Sequence, residues 1–154
     1  MLNEIKKATL EHSDEVSRLV TKLLQALVGH KRIIDSEKIG ITTRKLLSED
    51  SGFHAFLYQA EGTFVGVVTL SKSAAIYAGG YYGVIEEFYV KPEFRSKFIG
   101  KALLDRAITF ARGQGWPRLE VSTPERENWQ GTIDFYRREG FSDNSIGERL
   151  KLEL

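Results

Sequence analysis

Val90-Lys91-Pro92-Glu93-Phe94-Arg95-Ser96-Lys97-Phe98-Ile99-Gly100-Lys101-Ala102-Leu103-Leu104 joins two stretches of different periodicity, and its reading decides the fold. Upstream, Tyr81 to Val90 is rich in aromatic and branched residues and stops at Lys91-Pro92, as a strand does where proline would interrupt its ladder. Downstream, Leu103, Leu104, Ala107, Phe110 and Ala111 recur at helical spacing from Ile99, and Gly113 and Gly115 close the helix. A strand that turns directly into a helix makes an anion site. The free N–H groups of the first helical turn, aligned with the helix dipole, solvate a phosphate, and Gly100 lets the chain approach closely. Arg95, Lys97 and Lys101 add positive charge. A solvated basic surface turn has the same spacing, so the loop alone leaves both readings open.

On the N-terminal side, Val16, Leu19, Val20, Leu23, Leu24 and Leu27 follow one helix face, with Ser13 as the expected cap and Gly29 as the stop. Ser36 is the expected cap of a second helix carrying Ile39, Thr43, Leu46 and Leu47. Phe53 to Ala60 and Thr63 to Leu70 read as strands joined by a tight Glu61-Gly62 turn. On the C-terminal side, Leu119 to Ser122 is a short strand and Asn128 to Arg138 a helix stopped by Gly140. Leu150, Leu152 and Leu154 alternate with charges as a one-sided strand does. The order predicts an α/β fold with a mixed sheet, and the 154 residues are expected to form a single domain over 1–154.

Composition removes several function classes. The net charge of +1 provides no global field to recruit nucleic acid or an anionic membrane. Phe64 to Leu70, among the longest apolar runs, is only strand-length, and Met1-Leu2-Asn3-Glu4 lacks the pattern of a signal peptide, so a cytoplasmic protein is expected. With no cysteine, neither a thiolate zinc site nor a thioester enzyme intermediate is available. His12, His30 and His54 form no ligand-spaced pair, and no metal is expected.

The loop resembles motif A of the GNAT acetyltransferase family, matching it at Val90, Pro92, Arg95, Gly100, Leu103 and Leu104. Motif B has its counterpart in Phe135-Tyr136-Arg137-Arg138-Glu139-Gly140-Phe141, and the resemblance runs over nearly the whole chain. It implies the family's fold, a central mixed, mostly antiparallel twisted sheet flanked by helices. It also implies an N-acetyltransferase that moves an acetyl group from acetyl-CoA directly to a primary amine of a small molecule or peptide. The coenzyme contacts implied are the loop Arg95, Ser96, Lys97, Phe98, Ile99, Gly100 and Lys101 for the pyrophosphate, and Phe88, Tyr89 and Val90 beside the pantetheine. Asn128 stands one residue further from Tyr136 than the family asparagine usually does, and Tyr136 is the tyrosine that faces the coenzyme sulfur. Phe98 replaces the motif's first glycine and motivates the alternative, a non-catalytic acyl-CoA-binding module of the same fold.

Amide formation needs a base for the amine, stabilisation of the thioester oxygen and a proton for the thiolate. The resemblance assigns the acid to Tyr136 and places the oxygen near the backbone N–H of Tyr89 or Val90. Three carboxylates are candidates for the base, ranked Glu120, Glu86, Glu87; strand alternation predicts that only one of the adjacent pair faces the cleft. The patch Tyr77, Gly79, Gly80, Tyr81, Tyr82 reads equally as a lid over the acceptor and as the interface of a homodimer, a state frequent in the family. Replacing Gly100 by valine is expected to abolish acetyl-CoA binding; an unchanged calorimetric affinity would show that the loop does not hold the pyrophosphate.

Overall fold

The computed structural model describes residues 3–48, 50–124, 126–143 and 149–154, without the side chains of 126–128. They fall into two compact units, Met1–Ser122 and Thr123–Leu154.

In the first unit β1 (Glu4–Lys7) leads through a short 3-10 turn into α1 (Ser13–Val28), and α2 (Ser36–Ser48) follows. Both caps differ from expectation. Ser13 is the first helical residue, and its hydroxyl donates to the Leu10 carbonyl at 2.6 Å, while Thr9 N–H donates to His12 Nδ1 at 3.0 Å. At α2, Asp35 supplies the acceptor for the Lys38 N–H at 3.1 Å. At α2 the capping side chain thus lies one residue further upstream than expected, whereas α1 starts without a side-chain cap bond and continues from the preceding 3-10 turn.

β2 (Phe53–Ala60) and β3 (Thr63–Ala75) form the expected hairpin, and Glu61 and Gly62 take φ of 54° and 78°, the twist a two-residue connection requires. β4 (Gly80–Val90) completes an antiparallel run, α3 (Ile99–Gly113) crosses over, and β5 (Leu119–Val121) joins β4 in parallel. The sheet order is β1-β2-β3-β4-β5. On one face α1 packs Val16, Leu19 and Val20 with Ala55, Leu57, Val67 and Tyr89. The other face is covered by α3: its Leu103 and Ile99 stand against Gly66, and Phe110 meets Phe56 edge-on at 5.3 Å.

The second unit contains α4 (Arg126–Arg138), bent at Trp129, where φ is −133°. The strand expected at Leu150 to Leu154 is not formed: the described residues 149–154 carry no regular structure, and Leu150, Leu152 and Leu154 are exposed. Alternation alone makes no strand without a ladder partner.

Glycine is required where β4 meets β5. A Cβ on Gly83 would stand 2.6 Å from Leu119 Cδ2 and 2.7 Å from Trp116, so Gly83→Ala overpacks the core and should lower stability by about 1–3 kcal/mol. Gly131, inside α4, meets nothing within 4 Å, and Gly131→Ala should raise stability by up to about 1 kcal/mol. Thermal melts of the two variants should move in opposite directions.

Candidate active site

The strand-to-helix loop has the predicted form. A 3-10 turn over Pro92–Phe94 follows β4, and the first intrahelical bond of α3 runs from Ala102 N–H to Phe98 O at 3.0 Å. Ile99, Gly100 and Lys101 therefore present N–H groups with no intrahelical acceptor, which suits the pyrophosphate of a coenzyme. The basic residues around it are partly engaged. Arg95 Nε donates to the Val90 carbonyl at 2.9 Å, Lys97 lies over the Phe94 ring at 5.3 Å, and Lys101 pairs with Asp105 at 3.3 Å. Arg95 thus braces the end of β4, while Lys97 and Lys101 keep exposed, movable charges.

Phe98 is the cap of α3 and takes a left-handed φ of 62°; Ser96 does the same at 63°. Phe98 therefore occupies a backbone region that favours glycine, the residue type it replaces in the motif. Its ring points outward, 81% exposed.

One residue of β3 faces two of β4. Val68 pairs with Phe88 and Leu70 with Ile85, so Thr69 stands opposite both Glu86 and Glu87, a β-bulge. Thr69, fully buried, heals the ladder with its side chain: its hydroxyl accepts from Glu87 N–H at 2.9 Å and donates to the Glu87 carboxylate. Ser71, on the same face of β3, donates to Glu86 at 2.7 Å. Both carboxylates are thus brought to one face of the sheet, because the bulge adds the residue that breaks the period of two, yet of the pair only Glu87 lines the cavity on that face.

Glu87 and Thr69 line a cavity of about 260 Å³ beneath α1 and α2, whose other walls include Val16, Val20, Ile39 and Phe53. Burial holds the Glu87 carboxyl above the usual carboxylate range; the Thr69 hydroxyl opposes the shift and the Glu86 charge adds to it. This last-ranked glutamate is the one in the cavity. Glu120 is ion-paired with Arg118 and accepts from the Tyr77 hydroxyl at 3.4 Å. Arg118 also lies over Tyr77 at 4.9 Å and Tyr82 at 5.7 Å, tying the turn between β3 and β4 to β5. Tyr82 is buried, so of the aromatic patch only Tyr77 and Tyr81 reach the surface.

Pairing of β4 with β5 ends at Ile85 and Val121. Within this unit the edge of β4 is open from Glu86 onward, alongside Phe88, Tyr89 and Val90. Phe88 is half-buried, Tyr89 belongs to the α1 core, and Val90 is buried opposite Gly66. In the second unit Tyr136 is buried and meets Phe135 and Phe141 edge-on at 5.5 and 5.3 Å; burial raises its hydroxyl pKa well above the ordinary phenol value. The Asn128 side chain lies outside the described residues. Among the described residues no cluster of three or more His, Asp or Glu side chains could hold a metal, and no helix is long and apolar enough to cross a membrane.

Residues 25–141 match the Acetyltransferase (GNAT) family, and the chain belongs to that family. It is 29% identical over 141 residues to an aminoalkylphosphonate N-acetyltransferase of Salmonella typhimurium strain LT2, covering 92% of this chain and 86% of the relative. A Clostridium acetobutylicum protein described as a predicted acetyltransferase, solved with acetyl-CoA, superposes with a TM-score of 0.81 at 14% identity, covering 97% of this chain and 96% of that one. An aminoglycoside acetyltransferase from an uncultured soil metagenomic sample, solved with sisomicin, gives 0.75 at 21% identity over 98% and 97% of the two chains. At these identities the solved structures establish the shared fold.

A left-handed conformation costs a non-glycine residue about 1–2 kcal/mol, part of which glycine returns in unfolded-state freedom. Phe98→Gly should therefore leave stability equal or higher by up to about 1 kcal/mol and leave acetyl-CoA affinity equal or better. Melting and calorimetric titration check both, and a large loss of affinity would make Phe98 a ligand contact.

Proposed function

We propose that residues 1–154 work as one N-acetyltransferase domain that moves an acetyl group from acetyl-CoA directly to the primary amine of a small molecule. The observation that carries this is Glu87: a partly buried carboxylate, fixed by Thr69, facing a cavity at the open edge of the strand that feeds the anion loop. The family match spans both compact units, which supports their acting together. A cytoplasmic setting accords with the lack of cysteine.

Acetyl-CoA supplies a thioester-activated acetyl carbon. The chain's part is to hold and to move protons. The α3 amides and Lys97 and Lys101 hold the pyrophosphate, and the β4 edge beyond Glu86 aligns the pantetheine and offers N–H groups near Tyr89 and Val90 to the carbonyl oxygen. Glu87 accepts the amine proton, directly or through water, as the nitrogen–carbon bond forms. Burial, which raises its pKa, makes its carboxylate the stronger base. Tyr136, kept protonated, donates to the sulfur as the carbon–sulfur bond breaks. Glu120 serves as a strut, and Glu86 sets the charge beside Glu87. A cavity of about 260 Å³ is smaller than the ~300–1,000 Å³ of drug-sized sites, which favours a compact amine over an aminoglycoside or a folded peptide. The substrate named for the Salmonella relative, an aminoalkylphosphonate, is of that compact kind.

Glu87→Gln and Tyr136→Phe test the two proton roles. Each should lower kcat by about 10² to 10⁴ with acetyl-CoA affinity nearly constant. Stability separates them from packing effects. A carboxyl whose folded pKa is raised contributes stability below its unfolded pKa and loses it as pH rises through the folded value. The parent should therefore lose stability relative to Glu87→Gln as pH rises through the folded value, because the amide has no proton to lose. A fall in kcat of less than about threefold in either variant removes that residue from the mechanism.

A further inference from the structure

The cavity has a second chemical end. Lys38, Thr42 and Leu46 recur every four residues along α2 and all line it, so one helix stripe runs from cationic through hydroxyl to apolar. Thr43, one residue on, spends its hydroxyl on the Ile39 carbonyl at 2.7 Å. Neither the Lys38 ammonium nor the Thr42 hydroxyl has a protein partner among the described residues. Val16, Val20 and Leu24 of α1 supply the apolar wall of the same cavity.

A bare alkylamine would satisfy Glu87 and this apolar wall while leaving the Lys38 ammonium and the Thr42 hydroxyl, both exposed at the cavity's edge, without a ligand partner. A molecule with an amine at one end, a short hydrocarbon middle and an anion at the other would meet every group. We propose that the acceptor is such a molecule, a small aminoalkyl acid whose carboxylate or phosphonate is bound by Lys38 and Thr42 while its amine meets Glu87. The inference rests on the transferase reading for the amine end, whereas the anion end stands on the α2 stripe alone. Lys38 is exposed, so its attraction is screened by salt.

The test compares aminopropylphosphonate, γ-aminobutyrate and butylamine in steady-state turnover with acetyl-CoA and in direct calorimetric titration. The variants are Lys38→Met, Lys38→Arg and, as a control for net charge on an exposed helix face, Lys22→Met. The parent should favour at least one of the two anionic amines over butylamine by about tenfold or more in KM and in Kd. That ratio should shrink as salt rises, collapse toward one in Lys38→Met, and survive in Lys38→Arg and Lys22→Met. Equal use of butylamine by the parent, or a ratio that persists in Lys38→Met, overturns the proposal. Binding with the expected preference but no turnover upholds the anion site and removes the transferase reading; turnover without preference does the reverse.

Discussion

Thr69 is one residue opposite two, and much of the site's geometry depends on how that mismatch is resolved. A bulge normally leaves a backbone N–H without its ladder partner. Here the threonine hydroxyl takes that N–H and returns its own proton to the carboxylate of the same residue, so that Glu87 is held at both ends by one buried side chain. The extra residue has three effects within the sheet. It carries Glu86 and Glu87 to the same face, it coincides with the point where β4 parts from β5, and it opens room beneath α1 and α2. A regular ladder would have hidden one carboxylate on the α3 side.

The elements most legible in the sequence were those whose pattern has physical redundancy. α1 and α3 repeat their apolar residues over several turns, and the hairpin turn is set by a glycine between two strand-like runs. Elements stabilised only by a neighbour were not legible. β1 is mostly charged, Glu4-Ile5-Lys6-Lys7, and exists because β2 offers a ladder. The extension of β3 through Ser71 to Ala75 lies beyond the expected end at Leu70 and is strand because β4 pairs with it. The C-terminal leucines show the converse, a strand pattern with no ladder formed.

The candidate site divides in the same way. The anion loop could be read because its function resides in backbone N–H groups and a few spaced residues, which a linear motif records. The ranking of the carboxylates could not, since a bulge inserts a phase shift that neither adjacent glutamate advertises. Arg118 and Glu120 did carry a signal, two opposite charges at strand spacing, which marks a pair lying side by side. The role of Lys38 emerges only once α2 is seated over the sheet.

The five-stranded sheet keeps its longest strands, β3 and β4, inside, and ends within its unit in short ones: four residues at β1 and three at β5. An open strand edge is a template on which another chain can be laid, and its risk grows with length and apolar character. The β1 edge offers few ladder positions and guards them with Glu4, Lys6 and Lys7. Runaway edge-to-edge stacking of folded copies is disfavoured there, so the apolar strand Phe64 to Leu70 becomes an aggregation hazard chiefly while the chain is still folding.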